Sequence, residues 1–384
     1  MHSKKPHPNV HPICTPVNRG GLATPALLVE IAQLRANITR MQQLCKQANV
    51  ALRPHGKAHK CAAIAQRQIA AGAVGICVAT ISEAEYFYRA GISNLLLTST
   101  FSTDMACDRI CRLVNQGAKL RCVLDNHDTA QKLGAWATAL NIDIAVLIDI
   151  DMGRHRSGVT SITQATELAR VIHTTSSLRL EGVQAYAGHL SHCWDYLQRL
   201  EQSQQSALRL QQFLDKLCAW MVTEKPIVTG GSTGGFIVET AHQLYTEMQC
   251  GSYPLMDTEY LAVDLDGKQT KLFPPSLRVA TAVISNNTPQ LATTDGGDKS
   301  MISKYQLAPI ITAGAPLDAT YIIKSDEHGE IRLPNTQVLA NGTLVEVIPP
   351  HCDPTINLYD QFYVVDEERV IDIWAIDSRG VVAK

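Results

Sequence analysis

Residues 50–61 read VALRPHGKAHKC, an apolar lead-in that runs into Arg53, His55, Lys57, His59 and Lys60. Pro54 and Gly56 punctuate the backbone within that cluster. A strand ending here projects a lysine from its carboxyl end, where parallel α/β sheets and barrels keep their reactive groups. An amine so placed can carry an aldehyde cofactor as a Schiff base, and Lys57 is the candidate. Read alone, the stretch fits a solvated basic loop better, because runs of charge usually face water.

Four further stretches offer chemistry. TGGSTGG, residues 229–235, follows an apolar run. Glycines let backbone N–H groups approach an anion closely, and Ser232 and Thr233 add hydroxyl donors, so the run reads as a phosphate cradle. It has neither the GxGxxG spacing nor the lysine of a Walker A loop, and a flexible glycine turn is the bland alternative. Arg156, just past the apolar run 142–150, could set a cation beside a cofactor ring or form a surface salt bridge. Tyr186 ends another apolar run, where it could contact a ligand or simply pack. PPHCDPTINLYD, residues 349–360, sets His351, Cys352 and Asp353 side by side. If that segment is extended, His351 and Asp353 share a face and Cys352 points away. An imidazole and a carboxylate suit Mn²⁺, Mg²⁺ or Co²⁺, whereas Cys352 in place of Asp353 would favour zinc.

The elements that must position these groups are legible as a rhythm. A strand at 24–30 and a helix from about 31 to 47 open the pattern. Short runs rich in Val, Ile and Leu then recur near 49–55, 74–79, 94–98, 119–125, 142–150, 178–186, 226–230 and 244–250, with amphipathic segments between. Continuous apolar strands separated by helices imply a parallel sheet buried on both faces, and eight of them imply a closed (β/α)8, TIM-type barrel. An open doubly wound sheet is the fallback. From about 265 the helical pattern gives way to LRVATAVIS, ATYIIKS, TLVEVIPP, QFYVVDE and VIDIWAI, a mainly antiparallel β domain. The expected division is a barrel over 31–262 and a β domain built from 1–30 with 263–384. Residues 1–22 read as an extended arm.

Composition narrows the classes. A net charge of −2 gives no electrostatic footprint for nucleic acid or an anionic membrane. No apolar run has the length of a signal peptide core near the start or of a membrane span anywhere. Eleven cysteines, odd in number and irregular in spacing, fit reduced thiols and a cytoplasmic setting.

Taken together, TPALLVE, RPHGKAHK, VGICVATISEAE, CVLDN, IDIDMGRHRSGV, GVQAYAGHLSH, TGGSTGG, YTEMQCGSY, SDEHG and HCDPTINLYD resemble the D-threonine aldolase and D-serine dehydratase-like enzymes of the alanine racemase fold. The resemblance runs from about residue 22 to the C-terminus. It implies a barrel that binds pyridoxal 5′-phosphate (PLP), a β domain made from both chain ends, and a homodimer acting on a small amino acid. By position, Lys57 matches the Schiff-base lysine and Arg156 the cofactor-contacting arginine. Tyr186 and His192 match a tyrosine and a histidine near the substrate. Gly230, Gly231, Ser232, Thr233 and Gly234 match the phosphate loop, and His351 and Asp353 match the divalent-metal ligands.

Family members with His-x-Cys at the metal resemble the zinc dehydratases. Those with His-x-Asp resemble the aldolases, which use Mn²⁺, Mg²⁺ or similar ions, with Zn²⁺ and Co²⁺ as alternatives. Asp353 therefore points to retro-aldol cleavage of a β-hydroxy-D-amino acid, of D-threonine or 3-hydroxy-D-aspartate type, to glycine and an aldehyde. On that reading the metal acidifies the β-hydroxyl, His192 takes its proton, and the freed Lys57 protonates Cα. A dehydratase releasing ammonia and a keto acid is the alternative in the same cofactor class. A non-catalytic PLP carrier is the alternative outside it. The chain departs from the aldolase pattern at Ser99-Thr100, where that branch has Asn-Glu, at His189, where it has a small residue, and over 281–310.

Overall fold

The computed structural model describes residues 18–316 and 318–380. Strand β1 (Ala26–Glu30) leads directly into a helix over Ile31–Gln47, both where the apolar spacing places them. Eight parallel strands follow: β2 (Ala51–Leu52), β3 (Ile76–Val78), β4 (Asn94–Leu97), β5 (Lys119–Leu124), β6 (Ile144–Asp149), β7 (Leu178–Ala185), β8 (Ile227–Gly230) and β9 (Glu247–Met248). Their order, β2-β9-β8-β7-β6-β5-β4-β3, runs round a ring. The ring closes between β2 and β3, where Val74 N–H donates to Leu52 O (2.8 Å) and Cys77 N–H to Pro54 O (2.9 Å). The eight expected strands are all present, and the TIM-type barrel stands over the open sheet.

The apolar runs are continuous because both faces of each strand are covered. Strand β6 is buried at every position. It and strands β3, β4 and β5 send alternate side chains two ways. Ile76, Leu95, Cys122 and Val146 join the large core beneath the helices, while Cys77, Leu96, Val123 and Leu147 form a separate small cluster inside the barrel.

The second sheet contains β10 (Leu277–Ser285), β11 (Leu291–Thr294), β12 (Ile310–Ala313), β13 (Thr320–Ile323), β14 (Gly329–Arg332), β15 (Leu344–Ile348), β16 (Gln361–Asp366) and β17 (Arg369–Ala375). Strand β1 lies in its middle, antiparallel to β10 and parallel to β16. The N-terminal strand therefore belongs to the β domain rather than the barrel. Three strands, β11, β12 and β14, went unforeseen. Each has four residues, and GEIR carries a single large apolar side chain. Their pairing comes from neighbours rather than from their own pattern.

The expected arm over 1–22 lies outside the described residues as far as position 17. From there it is not extended: Arg19–Gly21 forms a 3₁₀ turn capped by Asn18. Arg19 anchors the turn through Glu346, Glu30 (3.2 Å) and a backbone bond to Glu368. Two buried or half-buried carboxylates hold the chain there.

Candidate active site

The carboxyl ends of the barrel strands converge on one cavity of about 150 Å³, and the β domain supplies one wall. Lys57, Arg156, Tyr186, Gly231, Ser232, Thr233 and Asp353 all line it. Side chains from separate motifs along the chain thus meet in one place.

Lys57 sits in a 3₁₀ turn, Gly56–Ala58, directly after β2. About 46% of its side-chain surface is open, and that surface looks into the cavity. Its Nζ lies 3.5 Å from Asp353 Oδ2. The carboxylate raises the lysine pKa, more than burial lowers it. For Asp353, burial pushes upward, but Lys57 and His351 outweigh it and hold the group at about 2. Lys60, the competing amine, is bonded to Glu83 Oε1 at 2.6 Å, so it is already occupied.

The two histidines of the cluster build the turn. His55 Nδ1 accepts Lys57 N–H (3.3 Å). Its Nε2 lies 2.9 Å from Thr98 Oγ1, whose own proton goes to Val78 O (3.1 Å). Nε2 must therefore carry the hydrogen, and His55 is the neutral Nε2–H tautomer. His59 repeats the device. Nδ1 accepts Cys61 N–H (3.2 Å), and Nε2 donates to Gln68 Oε1 (3.2 Å), whose amide donates to Tyr253 OH (3.0 Å). Burial drives both pKa values down, His59 to about 4. With both lone pairs used, neither ring is free for a metal.

The TGGSTGG loop is buried along its length and leads into a short helix, Phe236–Thr240. It is a close-packed turn rather than a flexible one. Gly231 has φ +77°, and a Cβ there would lie 2.3 Å from Met248 Cε. A Cβ on Gly234 would lie 2.0 Å from the Ser191 carbonyl oxygen. Ser232 Oγ accepts Gly235 N–H (3.1 Å) and Thr233 Oγ1 accepts Tyr253 N–H (3.1 Å). Neither hydroxyl donates a hydrogen bond among the described residues. Gly230 and Gly234 support the loop from outside the cavity wall. Arg156 stands over the Tyr186 ring at 5.7 Å, and the Tyr186 hydroxyl pairs with Ser191 Oγ (3.1 Å).

The segment after β15 differs from the extended one considered above. His351 caps a short helix, Cys352–Ile356, so strand alternation does not govern the two side chains. Pro354 is tolerated because it falls in the first turn, where its missing N–H has no partner to lose. Asp353 turns to Lys57 and receives Ser252 Oγ–H (3.3 Å). His351 turns to Asp257 and Glu259 (3.1 and 3.3 Å). His192 lies between the rings of Tyr260 and Tyr305 (4.7 and 4.8 Å), with His351 edge-on at 5.7 Å. Burial, then the neighbouring His351, lowers its pKa to about 4. His192 packs on Tyr260, which lines the cavity, and neither His192 nor His351 is part of the cavity wall itself.

An ionised Asp353, and a His351 whose Nε2 has no hydrogen-bond partner among the described residues, suit a divalent cation. The cradle, the open amine and the cation beside an aromatic ring suit PLP. Sequence reasoning missed the floor of the cavity. Gln184 donates to Thr98 O (2.9 Å) and Asp149 Oδ1 (2.8 Å), and Gln249 donates to Gln184 Oε1 (3.1 Å). Gln184 and Gln249 are the polar residues of otherwise apolar strand ends, which was the available signal.

Known proteins share this fold. The alanine racemase N-terminal domain matches residues 29–258 and the serine dehydratase domain residues 276–365. A D-threonine aldolase of Arthrobacter sp. is 35% identical, over 93% of each chain. The chain belongs to the D-threonine aldolase and 3-hydroxy-D-aspartate aldolase branch of the alanine racemase-like enzymes. A 3-hydroxy-D-aspartate aldolase of Paracoccus denitrificans is 31% identical, over 94% of this chain and 92% of its own. The crystal structure of D-threonine aldolase from Filomicrobium marinum superposes with a TM-score of 0.89 at 29% identity, covering 96% of this chain and 98% of that one. A D-threo-3-hydroxyaspartate dehydratase of Delftia sp. is 33% identical over 62% of each chain. The branch consists of PLP-dependent lyases, and this chain is one of them.

Proposed function

We propose that this enzyme cleaves a β-hydroxy-D-amino acid, of D-threonine or 3-hydroxy-D-aspartate type, to glycine and an aldehyde. The observation that carries the reading is Asp353, an ionised carboxylate set against the Lys57 amine in the cavity. The aldolase relatives extend over more than nine-tenths of the chain, the dehydratase of Delftia over 62%. PLP supplies an electron sink for the charge left at Cα, and a divalent ion, Mn²⁺ or Mg²⁺, supplies a Lewis acid for the β-hydroxyl.

The chain's own groups divide the remaining work. Lys57 holds the cofactor covalently and, once released, returns a proton to Cα. Ser232 and Thr233 donate to the phosphate beside Gly231, and Gly230 and Gly234 support the loop from behind. Arg156 and Tyr186 hold the ring end and the substrate. His351 and Asp353 hold the metal. His192 is neutral at pH 7 and can accept the β-hydroxyl proton. Its depressed pKa makes it a weak base, so it would serve best where a divalent ion, which His351 and Asp353 would hold, supplied Lewis acidity to the hydroxyl.

The protein is read as a cytoplasmic homodimer. Ten cysteines are free among the described residues and most are buried, as a reducing compartment allows. Among the described residues no helix is long and apolar enough to cross a membrane.

The deciding experiment incubates PLP-loaded enzyme and Mn²⁺ with a panel of D-3-hydroxy amino acids and assays glycine and ammonia separately. Glycine with stoichiometric aldehyde is the expected result. Ammonia with a keto acid would establish the dehydratase reading, which the Delftia relative favours. Bound PLP without turnover would leave the carrier reading.

A further inference from the structure

His351 Nδ1 lies between two carboxyl groups that are both fully buried. Asp257 caps the short helix Thr258–Leu261 by accepting Tyr260 N–H on Oδ1 (2.8 Å). Its other oxygen faces His351 Nδ1 (3.1 Å) and accepts Cys352 N–H (2.7 Å). Glu259 is anchored likewise: Oε1 accepts the N–H groups of Lys304 and Tyr305 (2.8 and 2.9 Å), and Oε2 faces His351 Nδ1 at 3.3 Å. Both carboxyl groups are 0% exposed. The backbone fixes the same spacing, because Thr258 and Glu259 N–H donate to Pro349 and Pro350 O (3.1 Å each). The barrel's last loop therefore grips the segment that carries His351.

A lone pair on Nδ1 would point at a lone pair of Asp257 Oδ2, the hydrogen-bond partner of that nitrogen. The hydrogen of a neutral imidazole must then reside on Nδ1, which leaves the lone pair on Nε2. The ring's hydrogen bond among the described residues is made through Nδ1, and Nε2 makes none. A metal-bound imidazole needs this arrangement, one nitrogen donating to a carboxylate and the other free to coordinate. We propose that Asp257 and Glu259 are positioning residues that lock His351 in the Nδ1–H tautomer and aim Nε2 at the divalent ion. The inference rests on the reading of His351 and Asp353 as metal ligands. A rival geometry is present in the same place. Ligand atoms of His192, Glu259 and His351 lie within 4.8 Å of one another, so Glu259 is also a candidate for direct coordination. Glu259 Oε1 is anchored by two amides, whereas its buried Oε2, 3.3 Å from Nδ1, has no hydrogen-bond partner among the described residues, and the Glu259→Gln titration below separates the two roles.

The test titrates Mn²⁺ into metal-stripped, PLP-loaded full-length protein, following free Mn²⁺ by electron paramagnetic resonance and PLP affinity by absorbance. Wild type takes up Mn²⁺ and His351→Ala does not. Asp257→Asn and Glu259→Gln weaken Mn²⁺ binding by roughly 10–100-fold, the range for such partners, with PLP affinity unchanged. Glu259→Gln is the cleaner variant, because its amide oxygen still accepts the Lys304 and Tyr305 N–H groups while its NH₂ turns a donor toward Nδ1. Wild-type Mn²⁺ affinity in both variants would overturn the inference, and so would a parallel loss of PLP affinity. Glu259→Gln that binds as little Mn²⁺ as His351→Ala would make Glu259 a ligand and overturn its positioning role. Absence of Mn²⁺ binding in wild type, or its persistence in His351→Ala, would overturn the underlying metal assignment instead.

Discussion

Lys57 Nζ and Asp353 Oδ2, one from the barrel and one from the β domain, stand 3.5 Å apart across the cavity. The pair separates Lys57 from Lys60, which the sequence presents three residues away with the same chemistry. Lys57 looks into the cavity, whereas Lys60 has φ +52° and is held by buried Glu83. Incubation with PLP and then borohydride should leave a reduced pyridoxyl label on wild type and Lys60→Ala, detected by peptide mass. Lys57→Ala should take up none. Label retained in Lys57→Ala would remove the assignment.

Arg53, another member of the basic cluster, has a structural role. It is 2% exposed and bonds Glu247 through two nitrogens (2.7 and 2.9 Å), with a third on Asn94 Oδ1 (3.0 Å). Removing one partner strands a buried charge. Arg53→Met should cost about 3–5 kcal/mol, and Arg53→Met with Glu247→Leu should recover most of it. Urea denaturation of both variants measures the difference.

His59 should make the fold acid-sensitive. Its usual value of 6.5 falls to about 4 in the folded protein, because burial opposes the charged form. The folded state therefore binds fewer protons than the unfolded state between those values. Stability is present above pH 6.5 and is lost as pH falls toward 4, by about 3 kcal/mol. His59→Gln keeps an acceptor for Cys61 N–H and a donor for Gln68, so it should flatten this part of the pH profile. An undiminished slope in that variant would assign the acid sensitivity to other groups.

Glu239 should act in the opposite direction. It lies under the phosphate loop, fully buried, and burial raises its pKa to about 8. The Ser232 amide and the Tyr245 hydroxyl face it, but neither carboxyl oxygen has a hydrogen bond of normal geometry. The folded state holds a proton that the unfolded state has released, so stability falls as pH rises from 4.5 through 8. Glu239→Gln should stabilise the protein by about 1–3 kcal/mol at pH 8 and by much less at pH 5. Thermal melts at the two pH values give the comparison.

The barrel was legible because parallel strands covered on both faces must be apolar along their length, and eight such runs are visible between 49 and 250. The reactive groups were legible for a related reason. Each follows a strand's carboxyl end, where the chain leaves the apolar layer and polar side chains reach the cavity. The four-residue strands of the β domain were hidden, because their pairing depends on partners distant in sequence. The same holds for the turn at His351. Residues 349–353 alone allow an extended segment, and only the bonds of Asp257 to His351 Nδ1 and the Cys352 N–H fix the turn and the direction of the ring.

The sequence by itself determined the inventory: a lysine after β2, a glycine cradle after β8, and a His-Cys-Asp run beyond β15. Tertiary structure decided which members act together. His55 and His59 have the residue type of metal ligands, yet their lone pairs are consumed by the N–H groups two residues on. Arg53 has the charge of a ligand-binding group, yet it is spent on Glu247. Lys57 and Asp353 keep a shared cavity because the β domain brings its short helix against the barrel mouth. Availability depends on what else lies within hydrogen-bond reach, a property of three-dimensional neighbours rather than of residue type.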